Sequence, residues 1–296
     1  MEGATKLMQH DAPSARERKL ASELRLLRGT VGLHGKDVAD QLGWSPSKIS
    51  RIENNRIGVA AEDLELLLEF YKVPEERSDY LRKLAASART RGWWDAYANA
   101  LSSGFSSLIK LEAGSSVLRC YSAVVPHALL QTSGYARQII TSTLQAPAPA
   151  EVDRRVDITR RRQQVLKREK HPMRVAAVID EAIFQRLIWT PDGRTADGIM
   201  RGQFEQLAQM ATWPNVTIQV LRFEAGLPPV TSGSFSILDS LATGTADVVY
   251  LENKTRAFFI DTEREVHQYV QEFELLSSMA LDPDASLDFI QQAVRG

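Results

Sequence analysis

Serine, lysine and arginine stand close together in residues 45–56, whose sequence is SPSKISRIENNR. Arginine can donate two hydrogen bonds to the O6 and N7 atoms of guanine, and serine can bond to several kinds of base edge. Lysine can reach a base or a phosphate, and asparagine and arginine also bind the phosphate backbone. The residue types in this segment therefore indicate contact with DNA.

The spacing of two isoleucines indicates which side of this segment faces outward. Ser45 is a favourable N-cap residue and Pro46 fits the first helical position, so a helix is predicted over residues 45–53. At about 100° per residue, Ile49 and Ile52 define its buried side. The residues predicted to point outward are Ser47, Ser50 and Arg51, with Lys48 on the flank.

A shorter helix precedes this one at the distance expected for a helix-turn-helix. Val38, Ala39 and Leu42 recur at helical spacing, and Gly43 marks the turn. Such a unit presents its second helix to the major groove of DNA, so we predict a DNA-binding helix-turn-helix over residues 33–56. The predicted DNA contacts are Ser45, Pro46, Ser47, Lys48, Ser50, Arg51, Asn54, Asn55 and Arg56.

The charge distribution agrees with a local DNA-binding surface. Residues 15–60 carry nine basic and five acidic side chains, whereas the whole chain has a formal net charge of -1. A solvated set of helix faces would show the same excess, so charge alone does not separate the two interpretations. Charge combined with the helix-turn-helix spacing favours DNA binding.

Other classes of site have no signal in the sequence. The single cysteine, Cys120, excludes an intramolecular disulfide, and no Cys/His cluster has the spacing of a zinc site. No phosphate-binding glycine loop, nucleophile elbow or HExxH motif is present, and no apolar run is long enough to span a membrane. We therefore expect a cytoplasmic protein with no metal, cofactor or membrane association, and not an enzyme.

The chain is predicted to contain two domains. Residues 1–14 are interpreted as a flexible tail, residues 15–91 as a mostly α domain of five helices, and residues 92–105 as a junction. Residues 106–296 are predicted to form an α+β domain, a mainly antiparallel sheet with helices on one side. The predicted strands are 173–179, 216–221, 234–238, 248–251 and 257–260, and a helix is predicted over 107–119.

Two groups of residues in the second domain are candidates for a site. A loop over residues 125–135 contains Pro126, His127, Gln131 and Tyr135, which could contact a ligand or partner, although a plain structural loop is favoured. A convergence of Arg174 with Ser232 or Ser234 and Glu252 would suit transfer of a nucleotide-sugar group. Nothing in the spacing requires that convergence. An enzyme with a DNA-binding appendage is therefore the least favoured of three hypotheses, after a transcription regulator and an antitoxin-like module.

The segment KISRIENNR after VADQLGWSPS resembles the third helix of the Xre and phage-repressor type of helix-turn-helix. The resemblance implies that Pro46, Ser47, Lys48 and Arg51 face bases and that Glu53 pairs with Arg28 of the first helix. Members of that family usually have glycine at the position of Asn55 and often a phosphate-binding glutamine at the position of Gly35.

The later segments RRRQQVL, VIDEAIFQRLI, NVTIQVL, GSFSIL and DVVYLEN are similar to a domain of actinobacterial Xre-type regulators that are described as antitoxin-like. This resemblance implies transcription regulation and a small protein partner encoded nearby. Helix-turn-helix proteins usually bind double-stranded DNA as dimers, so a homodimer is also expected. The second domain would serve partner binding, dimerisation or ligand sensing. The second hypothesis is an antitoxin-like module that neutralises its partner and for which DNA binding is secondary.

Overall fold

The computed structural model describes residues 15–88, 92–97, 101–144, 146–188, 196–230, 233–240, 246–254 and 256–295. The chain divides into two compact units, of which the first extends to Gly114 and the second begins at Ser115. The junction predicted at residues 92–105 precedes this boundary, and the tail predicted over residues 1–14 lies outside the described residues.

The first unit is helical, as predicted. Two glycines in the left-handed region end its first two helices, since Gly32 has φ 69° and Gly43 has φ 66°. The described helices are α1 (Ala15–Thr30), α2 (Gly35–Leu42), α3 (Pro46–Glu53), α4 (Ala61–Phe70), α5 (Glu75–Ala88) and α6 (Ser103–Ala113), with a 3-10 turn at Trp93–Tyr97.

One apolar core joins the first five of these helices. Leu24 of α1, Val38 of α2, Ile49 of α3, Leu67 of α4 and Leu81 of α5 are all buried in it. The short helices α2 and α3 are only eight residues long and would be marginal in isolation. Their stability therefore depends on packing against this core.

The second unit is an α+β fold built on a sheet of six strands among the described residues. In chain order its elements are β1 (Ser115–Ser122), α7 (Ser133–Thr143), α8 (Pro149–Arg162), β2 (Arg174–Asp180), α9 (Ala182–Gln185), α10 (Asp197–Ala211), β3 (Val216–Leu221), β4 (Phe235–Ser240), β5 (Ala246–Glu252), β6 (Ala257–Ile260), α11 (Glu263–Met279) and α12 (Pro283–Arg295).

The strand order is β3-β2-β1-β4-β5-β6. The strands β1, β2 and β3 run parallel, whereas β1 pairs antiparallel with β4, β4 with β5, and β5 with β6. Three of the five pairings are therefore antiparallel, which confirms the predicted fold class. The parallel half was not predicted.

The prediction of a helix over residues 107–119 was wrong in its second half. The helix α6 ends at Ala113, and β1 begins two residues later as a central strand of the sheet. A short apolar run such as that around Leu118 fits a buried strand and a buried helix equally well by periodicity. Pairing with two neighbouring strands decides between them here.

The expectation of helices on one side only was also wrong, because both faces of the central strands are buried. Leu118 and Cys120 point to one face and Tyr121 to the other, and all three side chains are buried. The helix α11 covers the face of Tyr121 with Phe273 and Leu276. Parallel strands are normally covered on both faces in this way.

Candidate nucleic-acid interface

The helix α3 is seated in the first unit by its apolar side and by a close approach to α2. Ile49 and Ile52 are each 2% exposed. A Cβ atom added at Gly35, the first residue of α2, would lie 3.4 Å from the Ile49 Cγ2 atom. The turn between the two helices is closed by Trp44, whose backbone N–H donates to the Ala39 carbonyl over 2.8 Å.

The opposite side of α3 is exposed and polar. Pro46, Ser47, Ser50 and Arg51 are all exposed, the last three as the helical phase predicts. The Ser45 and Ser47 hydroxyl oxygens are 3.1 Å apart. Arg51 Nε donates to the Ser47 carbonyl over 3.2 Å, while its terminal amino groups have no partner among the described residues. That side can therefore offer hydroxyl groups and a guanidinium group to a base edge.

The residues after α3 differ in their availability. Asn54 is exposed, and its side-chain amide donates to the Ser50 carbonyl over 2.7 Å. Arg56 is exposed. Asn55 has φ 52°, and its Nδ2 atom is buried with no hydrogen-bond partner among the described residues. Asn55 therefore shapes the end of α3, and its amide does not present itself to a phosphate.

Lys48, on the flank of α3, is engaged inside the unit. Its Nζ atom lies 2.6 Å from Asp63 Oδ1, in the first turn of α4. The same atom lies 3.7 Å from the centroid of the Trp44 ring, a cation–π contact. Lys48 is one of the predicted DNA contacts, whereas its partner Asp63 could not be predicted, because no local pattern links residues 48 and 63.

The other flank of α3 is held by Arg28 of α1. Arg28 Nε donates to Glu53 Oε1 over 2.7 Å and Arg28 Nη2 to Glu53 Oε2 over 2.9 Å. A third bond runs from Arg28 Nη1 to the Leu33 carbonyl over 2.7 Å. The hydrogen bond with Glu53 raises the pKa of Arg28, and burial acts in the opposite direction. The two residues paired by the family resemblance thus form a bidentate ion pair.

An open groove of about 340 Å3 runs beside α3, between it and the helices α1 and α2. Arg25 and Lys36 line it, and both side chains are exposed. They add positive charge beside Ser50 and Asn54, at a place where the phosphate backbone of a bound duplex would contact these two cations. Both belong to the basic excess of residues 15–60, but neither is among the DNA contacts predicted from the sequence.

In the second unit, the predicted partner or ligand loop is turned inward. Pro126, Gln131 and Tyr135 are buried, and Gln131 Nε2 donates to the Pro126 carbonyl over 2.8 Å. His127 Nδ1 accepts from the Leu129 N–H over 3.2 Å, and burial raises the pKa of Tyr135 to about 12. Gln131 and the half-buried His127 therefore each make a hydrogen bond within the loop, and Tyr135 lies in the core.

Of the residues proposed for group transfer, Arg174 lies far from Ser234 and Glu252. Arg174 pairs with Val117 at the start of the parallel strands, whereas the Ser234 hydroxyl accepts from the Ala123 N–H beyond the end of β1. Val117, beside Arg174, and Ala123, beside Ser234, are six residues apart along an extended strand, which corresponds to about 20 Å. Glu252 ends β5 and lies at the same end of the strands as Ser234. Ser232 lies outside the described residues.

Two absences among the described residues bear on other kinds of function. No group of three or more His, Cys, Asp or Glu side chains is arranged there to hold a metal ion. No helix in the same part of the chain is both long and apolar enough to cross a lipid bilayer.

Comparison with family models gives two matches. Residues 19–81 match a model described as a helix-turn-helix domain, which covers α2 and α3 and the helices that pack on them. Residues 105–292 match a model described as a domain of unknown function (DUF5753), which covers nearly all of the second unit. No curated protein and no solved structure gives a significant match.

Proposed function

Since the chain belongs to the DUF5753 family and carries a helix-turn-helix domain, we propose that it is a sequence-specific transcription regulator of the Xre type. The observation that carries the proposal is the exposed Ser47, Ser50 and Arg51 side of α3, backed by two buried isoleucines. The helix α3 enters the major groove, and Arg51 reads a guanine.

Phosphate contacts position the unit on the duplex. Arg25 and Lys36 line the groove beside α3, and Arg56 is exposed just after its end, so three cations flank the reading side. Ser45 adds a hydroxyl at the helix N-terminus, where free N–H groups favour an anion. These contacts carry no sequence information, but they make the affinity depend on salt.

In this proposal the chain acts in the cytoplasm as a homodimer on two half-sites, and its second unit binds a small protein encoded nearby. Exposed apolar side chains favour a protein partner for that unit. Val124 follows β1, and Phe223 and Leu227 follow β3, all after the carboxyl ends of parallel strands. Leu227 is 92% exposed. No catalytic activity is included in the proposal.

Genome-wide mapping of the DNA bound by the full chain tests the proposal. We expect enrichment of a motif with half-sites about one helical turn apart, upstream of the gene itself or of a neighbour. Absence of any enriched motif would contradict it. The partner is tested separately, by co-purification of the chain with the product of the adjacent small gene. Failure to recover a complex would rule out that pairing.

A further inference from the structure

We propose that Lys48 is a positioning residue that does not contact DNA, and that Asp63 keeps it from doing so. The inference rests on the proposed function, which it refines by removing one residue from the reading surface. Lys48 lies between Asp63 and Trp44, at 2.6 Å from the carboxylate and 3.7 Å from the ring centroid.

Partial burial makes it energetically unfavourable for Lys48 to leave its two partners. The Lys48 side chain is 28% exposed and that of Asp63 is 19% exposed, so water screens their attraction only in part. A phosphate contact would require Lys48 to leave both the carboxylate and the ring. Asp63 would then be left without its cationic partner in a partly buried position.

The helical phase shows what the arrangement does for α3. Taking the direction between Ile49 and Ile52 as buried, Lys48 lies about 70° to one side of it and Glu53 about 70° to the other. Lys48 is tied to Asp63 of α4, and Glu53 is tied to Arg28 of α1. The two ion pairs on opposite flanks restrict rotation of α3 about its own axis. That rotation would move Arg51 away from its base.

Asp63 consequently sets how much positive charge α3 presents to DNA. With Asp63 in place, Arg51 is the cation of α3 that is exposed. Without it, the freed Lys48 ammonium becomes an additional phosphate-binding group. Each phosphate neutralised by a protein cation adds about 0.9 to the slope of log affinity against log salt concentration. The state of Lys48 can therefore be measured from that slope.

The test uses the full chain and two short duplexes, one from the most enriched fragment of the binding map and one of scrambled sequence. The variants are Lys48→Met, Asp63→Asn and the double variant. Lys48→Met retains an apolar stem over Trp44 and removes the charge. Glu62→Gln is the matched control. Glu62 is exposed on the same turn of α4, so its replacement removes an equal negative charge without disturbing Lys48.

We expect Lys48→Met to leave the salt slope unchanged and to narrow the affinity ratio between the two duplexes, since α3 is less firmly held. Asp63→Asn should steepen the slope by about one unit. The double variant should return to the wild-type slope, and Glu62→Gln should not change it. Replacing Lys48 by Gln repeats the test if the Met variant does not fold.

Two results would overturn the inference. One is a slope that falls by about one unit in Lys48→Met, because Lys48 would then already contact a phosphate. The other is a slope in Asp63→Asn equal to that in Glu62→Gln. A double-mutant cycle on unfolding, without DNA, measures the Lys48–Asp63 coupling directly, and zero coupling would also overturn it. Failure of the wild-type chain to bind either duplex would instead refute the proposed function.

Discussion

Arg28 and Glu53 form a bidentate ion pair that joins the first helix to the end of α3, with nitrogen–oxygen distances of 2.7 and 2.9 Å. The Arg28 side chain is 18% exposed and that of Glu53 is 9% exposed. A forked guanidinium matches a carboxylate in both distance and direction, which makes such pairs stronger than single contacts. The pair therefore contributes both to the stability of the first unit and to the orientation of α3 within it.

Breaking this pair is predicted to destabilise the first unit. Glu53→Ala leaves a mostly buried guanidinium without its carboxylate and should lower the free energy of unfolding by about 1–3 kcal/mol. Urea titration of the full chain measures it. Arg82→Ala is the control, since Arg82 forms its ion pairs with exposed carboxylates of α4 and α5 and should cost less stability than Glu53→Ala. Equal losses in the two variants would contradict the prediction.

Arg51 is predicted to read a base. Arg51→Ala should weaken binding to the mapped site by about 1–3 kcal/mol and relax preference at one base position. A competition assay with single-base variants of the site measures both effects. Lys83→Ala, which removes an exposed charge from α5, serves as control and should leave base preference intact. Unaltered preference after Arg51→Ala would remove Arg51 as a reader.

Replacing Asn55 by glycine is predicted to stabilise the first unit without affecting DNA binding. Glycine adopts φ 52° without the steric cost of a Cβ, and the change removes a buried amide that has no partner among the described residues. After allowance for the added freedom of the unfolded chain, we expect a gain of about 0.5–1 kcal/mol. Thermal unfolding and a binding titration test the two halves of the prediction. A loss of affinity would show that Asn55 contacts DNA.

Tyr71 is predicted to make the first unit sensitive to alkaline pH. Burial raises the pKa of Tyr71 to about 12, from a usual value near 10, and the charge of Glu53 adds to the shift. Because the unfolded chain ionises first, this contribution to stability is complete below pH 10 and is lost as the pH rises to about 12.

Tyr71→Phe isolates that effect. The difference in unfolding free energy between the wild-type chain and Tyr71→Phe should be constant below pH 10 and should shift against the wild type above it. Urea titrations at several pH values measure the difference. A difference that does not change between pH 10 and 12 would show that Tyr71 ionises equally in the folded and unfolded states.

The amino-acid sequence determined the local elements of this protein, because they depend on residues close together in the chain. The period set by Ile49 and Ile52 was enough to predict which side of α3 is exposed. Residues 216–221 and 257–260 were predicted as strands with the bounds that the structure shows. For the same reason, the helix-turn-helix and the α+β class could both be predicted.

Tertiary structure decided the features that depend on residues far apart in sequence. It made Ser115–Ser122 a central strand by pairing it with β2 and β4, although its apolar run also fits a helix. It also gave Lys48 a carboxylate partner fifteen residues away and buried the amide of Asn55. Periodicity specifies which side of an element is buried but not which side chain it meets there, because that partner is chosen by packing.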